Sequence, residues 1–417
     1  MPEPALARLS EYGHIDLSAD QLTDNDLARL RALRHRRAVT ITETRNGWRI
    51  EADGTVGLLV LDRVRLLIEP KFAIDGELLL RWLTYALNAP VPREEIAKQW
   101  ATGPDGYAAL VAAALLEAAD ELLQGGLRQD YRRHRQIQPV LRGRLDVVRQ
   151  ATARYGQLDQ LHTVTFDRDV DIWENRVLHT ALEAASRLVS EPSLARALTT
   201  TAVAFPVDPT PQAAPSILGR AEYNRLNARY RTAHTWARLV LCGGGVTDLF
   251  TDAGLRANSL LLDMPNLWER VTRRMVTDAA AAHGASVQPS VTGAAIARTG
   301  DIGKGTPFRP DVLVRLADRE WLPIDAKYKK YDKKSLDADD IHQLLTYIAG
   351  YTTVANSTGL VIHPHRGGHG HRTLKVSGPR GLLGTIQVIG IDTMTDPHQA
   401  AKWLDSQWQK VVEGRKS

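Results

Sequence analysis

Two aspartates and a lysine, Asp311, Asp325 and Lys327, stand in the stretch from Phe308 to Tyr351. Their types and spacing suit phosphodiester hydrolysis. Carboxylates are hard oxygen donors, so a pair of them completed by water and a phosphate oxygen favours Mg2+, with Mn2+ as its substitute. A divalent cation there polarises a phosphoryl oxygen and lowers the pKa of a bound water. A lysine ammonium alongside orients that water or stabilises charge developing on the phosphorus oxygens. Without the cation the two acids repel each other, and one tends to keep a proton.

Those side chains need a hairpin to meet. Residues 312–316 are rich in branched apolar side chains and read as a strand, 317–320 as a polar turn, and 321–328 as the returning strand. Pro323 lacks an N–H and belongs near that strand's start or at an edge. Side chains alternate along a strand, so Asp325 and Lys327 share one face while Ala326 takes the other. Asp311 enters the first strand and can approach Asp325 across the hairpin. A helix follows over 339–351, with Ile341, Leu344, Leu345 and Ile348 at helical period. Gln343 and Tyr347 lie four residues apart and share one of its faces. Asp-x-Lys alone is common and reads equally well as a surface hairpin with an ordinary salt bridge. The apolar strand before each acid, the hairpin spacing and the helix make it a candidate centre.

Pro310-Asp311, Asp325-Ala326-Lys327 and Gln343-x-x-x-Tyr347 together resemble the PD-(D/E)XK nuclease superfamily. The string Ile324-Asp325-Ala326-Lys327-Tyr328-Lys329-Lys330-Tyr331 resembles, more narrowly, the McrC family, the nuclease subunits of McrBC modification-dependent restriction systems. Val56-Gly57-Leu58, Leu67-Ile68-Glu69-Pro70-Lys71, Arg142-Gly143-Arg144 and Trp173-Glu174-Asn175-Arg176 are similar to McrC strings as well, and fall in the order expected. One departure is His342, where the family more often carries an aromatic.

The resemblance implies a Mg2+-dependent DNA endonuclease subunit of a restriction complex that cuts methylcytosine-containing DNA. It implies a hexameric AAA+ GTPase partner, McrB-like, whose GTP hydrolysis this chain stimulates, and it assigns the N-terminal region to that partner. Asp311 and Asp325 become metal ligands, Lys327 the assistant of the attacking water, and Gln343 and Tyr347 supports of the site or of a nearby phosphate. The superfamily often draws a further acid from the helix before its sheet, and Glu269 sits where that acid would be. Taken alone, Glu269 reads as a surface residue paired with Arg273 one turn on. Two other functions fit the strings: a catalytically weak adaptor or activator of the AAA+ partner, and a stand-alone DNA repair nuclease.

A chain of 417 residues has room for two to three domains. Hydrophobic residues at 43% and charged residues at 24% are ordinary for a soluble globular protein. A net charge of +5 permits a polyanionic partner such as DNA without demanding one. The one cysteine, Cys242, excludes an internal disulfide and a cysteine zinc cage, and suits a reducing cytosol. The first residues carry no signal-peptide pattern and the longest apolar run is too short to span a bilayer, so a cytoplasmic protein without a membrane partner is expected. Gly243-Gly244-Gly245 is followed by no Gly-Lys-Ser/Thr, so this chain alone is expected to bind no nucleotide.

The expected fold class is multidomain α+β. An α+β domain spans 1–95, with a hairpin at Asn46-Gly47. A mostly helical middle region spans 96–255, with helices over 107–123, 171–189 and 221–241. Its segment 128–149 holds seven arginines against two aspartates. It reads as a phosphate-contacting strip or, with slight preference, a contact to a protein partner. Glu174-Asn175-Arg176 reads as a hydrogen-bonding set between helices. A C-terminal α/β nuclease-like domain with a mixed central sheet spans 256–417. It opens on a helix capped by Asp263 with Pro265 just inside. A strand is expected over 287–297, then a glycine-rich loop to 307. The four histidines of 363–371 match no zinc spacing and read as a flexible basic loop.

Overall fold

The computed structural model describes residues 5–35, 38–72, 76–89, 105, 107–242, 259–289, 295–297, 307–331, 336–353 and 357–413. The Gly243–Gly245 run and the loop from 298 to 306 lie outside them. The chain is mixed α+β and divides into two compact units, Met1–Leu110 with Leu261–Ser417, and Val111–Leu260.

The first unit begins with β1 (Ala5–Ser10), β2 (His14–Ser18), α1 (Asp24–His35), β3 (Val39–Thr44), β4 (Gly47–Ala52), β5 (Thr55–Val60), β6 (Val64–Glu69) and α2 (Gly76–Leu87). Strands β3 and β4 pair antiparallel with Thr44 opposite Gly47, which places the turn at the Asn-Gly signal. Strand β2 completes that small sheet on the other edge of β4. In β5 and β6 nearly every position is buried, the mark of strands covered on both faces. They form a four-stranded sheet of order β1-β6-β5-β10, where β10 is Ser259–Asp263.

The same unit continues with α9 (Met264–Ala282), β11 (Ser286–Val287), β12 (Val312–Arg315), β13 (Trp321–Ala326), α10 (Ala338–Tyr351), β14 (Thr358–His365), β15 (Gly370–Gly378), β16 (Gly381–Asp392) and α11 (Pro397–Glu413). Helix α9 starts as expected: the Asp263 carboxylate accepts the Asn266 N–H at 3.0 Å, with Pro265 in the first turn. The six-stranded sheet has the order β11-β12-β13-β14-β16-β15, with β13, β14 and β16 parallel and the outer pairs antiparallel. Pro323 sits opposite Leu313 of β12, just before β13 begins to pair with β14 at Ile324, so its missing N–H costs that ladder nothing. On one face, Val361, Ile386 and Val388 pack with Leu344 and Ile348 of α10. The alternate residues Leu360, Ile362 and Ile389 are equally buried, so the sheet is covered on both faces. Among the described residues no helix is long and apolar enough to cross a membrane.

Helix α10 lies close to this sheet because Gly359 has no side chain. A Cβ there would stand 3.0 Å from Cγ1 of Ile348. Gly359→Val is expected to push α10 outward and to cost about 1–3 kcal/mol through overpacking. Denaturant unfolding measures it, and an unchanged midpoint would rule out that tight contact.

The second unit holds most of α3 (Tyr107–Gln124), then β7 (Asp130–Gln138), β8 (Arg144–Leu145), α4 (Val147–Ala153), β9 (Leu161–Asp169), α5 (Trp173–Leu188), α6 (Pro192–Val203), α7 (Ala214–Gly219) and α8 (Arg231–Leu241). The helices expected near 107–123 and 171–189 are present. The segment expected as one helix over 221–241 is helical in α form only from Arg231, after a short turn of 3-10 helix at Ala228–Tyr230. Asn224 and Asn227 bond each other's backbone and hold the preceding residues in turns.

The middle region also carries an antiparallel sheet of order β7-β9-β8 that its sequence pattern did not disclose. Strand β7 reads Asp-Tyr-Arg-Arg-His-Arg-Gln-Ile-Gln and has no fully buried residue. With neither face packed away, no apolar alternation is required, and the period-two signal is missing. Gly143 in the Arg142-Gly143-Arg144 string takes φ +77°, and a Cβ there would stand 2.5 Å from the Val164 carbonyl oxygen. Only glycine lets the chain pass so close to β9.

Candidate active site

The β12–β13 register pairs Val312 with Ile324, and one further step places Asp311 opposite Asp325. The Asp311 carboxylate accepts the Ala326 N–H at 2.7 Å, which ties the first acid to the strand of the second. Asp325 is the neighbour of Val361 in the parallel ladder, so it faces α10. It is 1% exposed. Lys327 Nζ stands 2.8 Å from Asp325 Oδ2 and donates to Gln343 Oε1 at 2.7 Å. The Gln343 amide nitrogen donates to the Tyr347 hydroxyl at 2.9 Å, and that hydroxyl donates to the Arg309 carbonyl at 2.7 Å. This chain of bonds fixes which way the Gln343 amide points, oxygen toward Lys327. His342 is exposed on the outer side of α10, so the departure there leaves the relay untouched.

Glu269 is partly buried on α9 rather than on the open surface, and the Arg273 charge still acts on it. The Arg273 guanidinium donates to the carbonyls of Gln288, at 3.2 Å, and of Asp311. Burial pushes the Glu269 carboxyl up, Arg273 and Arg270 oppose this, and the charges of Asp263 and Asp325 add to it. Asp311 is pushed up from its ordinary 3.8 to about 8, by burial first, then by the charges of Asp325 and Glu269, against the Ala326 N–H and Lys327. The five expected catalytic residues, Asp311, Asp325, Lys327, Gln343 and Tyr347, are thus linked by bonds or by shared charge, with Glu269 at their margin.

The donor set suits a hard divalent cation. Asp325 Oδ2 is buried and makes no directional hydrogen bond, although the Lys327 ammonium is in ion-pair range. Among the described residues no three His, Cys, Asp or Glu side chains are spaced as a full cage. A partial set of oxygens is what Mg2+ accepts, because it keeps several waters and shares phosphate oxygens. The folded, metal-free chain holds a proton on Asp311 that the unfolded chain releases above its ordinary 3.8. This group therefore loses stability as pH rises from about 4 through about 8. A cation held by Asp311 would take the place of that proton, so Mg2+ is expected to raise the melting temperature more at pH 8.5 than at pH 6. Equal shifts at both pH values would count against Asp311 as a ligand.

Sequence reasoning missed Asp340, which is 4% exposed at the start of α10. Lys329 Nζ lies 2.8 Å from it, Lys327 Nζ 3.6 Å, and the Tyr331 hydroxyl donates to it. Burial tends to raise the Asp340 carboxyl, but the Lys329 and Tyr331 hydrogen bonds and the nearby ammoniums outweigh it and hold it below the ordinary range. The signal was present as alternation: residues 327, 329 and 331 project to one side. The even residues Tyr328 and Lys330 turn to the N-terminal segment. There the Tyr328 hydroxyl donates to Glu11 Oε2 at 3.1 Å and Lys330 Nζ donates to the Lys71 carbonyl at 3.3 Å. Lys71, the last residue of the Leu67-Ile68-Glu69-Pro70-Lys71 string, is half-buried and donates to the Tyr328 carbonyl at 3.0 Å.

The four histidines of 363–371 are ordered by the sheet, against the expectation of a flexible loop. His363 and His365 lie in β14 and His371 in β15. The His369 ring stacks on Trp403 and accepts the Asp392 N–H at 3.0 Å, while Asp392 accepts the Gly368 N–H at 3.0 Å. Pairing with β16 on both sides carries these strands past the point where apolar residues stop. Of the strand expected over 287–297, only Val287 lies in β11 among the described residues, and Ile296 forms a single bridge to Phe308.

The family profile described as McrBC 5-methylcytosine restriction system component matches residues 50–364. The chain belongs to the McrBC family. Its match spans the second unit and part of the first and ends inside β14, so it takes in every residue of the candidate centre. Among solved structures, a half-complex from a tetradecameric assembly of Thermococcus gammatolerans McrB AAA+ hexamers with bound McrC is similar in fold. Its TM-score is 0.69 at 15% identity, covering 98% of this chain and 100% of that one. A second structure, the Thermococcus gammatolerans McrBC complex, has a TM-score of 0.48 at 16% identity and covers 66% of this chain and 88% of that one. No curated protein matches the chain.

Proposed function

We infer that this McrBC family member is the McrC-type subunit, a Mg2+-dependent DNA endonuclease that works with a McrB-like AAA+ GTPase. The observation that carries this reading is the meeting of Asp311, Asp325 and Lys327 at the end of one hairpin, with Gln343 and Tyr347 holding the lysine. Asp311 and Asp325 would hold the cation, with Glu269 as a further acid. When bound, the cation supplies polarisation of the phosphoryl oxygen and a more acidic water. Lys327 places positive charge where the attacking water and the phosphorus oxygens would lie, and Gln343 and Tyr347 keep it from swinging into solvent. The hairpin brings the acids together before substrate arrives, so little ordering is left to the moment of reaction.

NTP chemistry falls to the partner, whose hydrolysis this chain stimulates and which selects the methylated DNA. The exposed sheet of the second unit supports a contact to such a partner. Tyr131, Ile137, Val140, Leu141 and Phe166 are all exposed in this sheet and its turn, in a segment rich in arginine, and exposed apolar side chains of this kind suit a protein contact. This favours the protein-contact reading of 128–149 over a phosphate strip.

The test is plasmid cleavage with Mg2+, using methylated and unmethylated DNA, with and without the AAA+ partner and NTP. Cutting only when methylation, partner and NTP are all present is the expected result. Cutting by this chain alone would replace this reading with a repair nuclease, and NTPase stimulation without any cutting would replace it with an adaptor.

A further inference from the structure

Lys71 occupies a place that a purely packing residue would fill more cheaply with an apolar side chain. Its ammonium lies 4.2 Å from the centre of the Tyr328 ring, 4.3 Å from that of Tyr12 and 5.4 Å from that of Phe72. Phe72 meets Tyr328 edge-on at 5.0 Å. Glu11, 4% exposed, accepts both the Lys71 N–H at 2.9 Å and the Tyr328 hydroxyl at 3.1 Å. Tyr12 reaches the ammonium from a left-handed backbone, φ +61°, which a residue with a side chain rarely adopts. A half-buried ammonium is costly unless compensated, and here rings, a carbonyl and a carboxylate compensate it together.

What this assembly grips is the segment just past the candidate centre. Strand β13 ends at Ala326, and the Lys327 N–H still reaches the Ile362 carbonyl at 3.0 Å. Beyond that residue the chain is no longer in a strand, and Lys71 holds the next carbonyl, that of Tyr328. We propose that Lys71, caged by Tyr12, Phe72, Tyr328 and Glu11, is a positioning residue for the centre: it holds the Tyr328 carbonyl and so sets where the Lys327 ammonium stands beside Asp325. The proposal rests on the nuclease reading of Asp311, Asp325 and Lys327. It gives the Leu67-Ile68-Glu69-Pro70-Lys71 string a role at a centre more than two hundred residues further along the chain. With the grip released, Lys327 drifts from Asp325, and a cation is met by a less ordered site.

The test compares the wild-type full chain with Lys71→Met, which keeps much of the side-chain volume and removes the charge. Mn2+ uptake is read from the shift in thermal unfolding along a Mn2+ titration. Cleavage of methylated plasmid is read in the complete complex with partner and NTP. For folded Lys71→Met the Mn2+ midpoint is expected to rise about tenfold, and kcat to fall by about 10- to 100-fold with KM for DNA unchanged. Lys71→Arg, which keeps a cation and donors, is expected to recover part of both. Wild-type midpoint and kcat in Lys71→Met overturn the proposal. Should Lys71→Met not fold, Tyr328→Phe removes only the hydroxyl bond to Glu11, and a midpoint raised about fivefold is expected; an unchanged midpoint again overturns the proposal. A wild-type chain that neither takes up Mn2+ nor cuts overturns the nuclease reading and this one together. A wild type that does both, beside variants that do so equally well, overturns the positioning role alone.

Discussion

Asp325→Asn is expected to abolish cutting while the partner's NTP hydrolysis is still stimulated. Asp325 is buried, faces α10 and carries the ion pair to Lys327 at 2.8 Å. Asparagine keeps the shape but removes the charge that would hold a divalent cation and keep Lys327 in place. A cation at such a centre contributes several kcal/mol of transition-state stabilisation, and each 1.36 kcal/mol is tenfold in rate. The loss should therefore be on the order of 10³-fold or more. The change also removes one of the charges that push Asp311 up. In the metal-free variant the titration of Asp311 should move down toward its ordinary value, which carboxyl NMR can follow. The NTPase assay separates the two activities: if Asp325→Asn loses stimulation as well as cleavage, cutting and activation are not separate functions of this chain.

The largest effect on stability is expected at Glu174, in the second unit. The Trp-Glu-Asn-Arg string begins α5, and two of its polar residues are buried outright. Arg128 pairs with Glu174 Oε1 at 2.7 Å, and Asn227 donates to the same oxygen at 3.3 Å. Asn175 donates to the carbonyls of Arg128, at 3.0 Å, and Val170, at 2.6 Å, and accepts the Tyr230 hydroxyl at 2.7 Å. His234, whose pKa burial drives down to about 4, is neutral at physiological pH and bonds the Glu174 carbonyl oxygen at 3.0 Å. The string is therefore a junction between α5, α8 and the chain entering β7. Glu174→Ala removes the buried partner of the Arg128 guanidinium, which keeps only the more exposed Asp130, and orphans the Asn227 amide, so a loss of about 2–4 kcal/mol is expected. Urea unfolding followed by tryptophan fluorescence measures this, because Trp173 and Trp236 belong to the same unit. Glu174→Gln keeps one acceptor and should cost less. A loss below about 1 kcal/mol in Glu174→Ala would show that the junction is relaxed in solution.

The sequence by itself determined the parts whose information is local. Hairpin spacing and side-chain alternation put Asp325 and Lys327 on one face, and the register then set Asp311 across from Asp325. Helical period put Gln343 and Tyr347 on one side of α10, where they bond each other. Asp263 and Pro265 marked the start of α9, and Asn46-Gly47 marked a turn. Strand β7 escaped because it has no buried face to impose a pattern, and the histidine hairpin because backbone pairing with β16, not apolar burial, orders it.

The tertiary structure alone decided which distant groups meet. Nothing near Lys71 in sequence announces Tyr328, nothing near Arg273 announces the Asp311 carbonyl, and nothing near Arg128 announces Glu174. Periodicity tells which side of its own element a residue takes. It carries no record of what another element, brought up by folding, will set against that side. Burial of the apolar faces chooses those neighbours, and the polar groups carried with them must then find partners where they land. That is why Lys327, Lys329 and Tyr331 share Asp340 while Tyr328 and Lys330, one step out of phase, belong to Glu11 and Lys71.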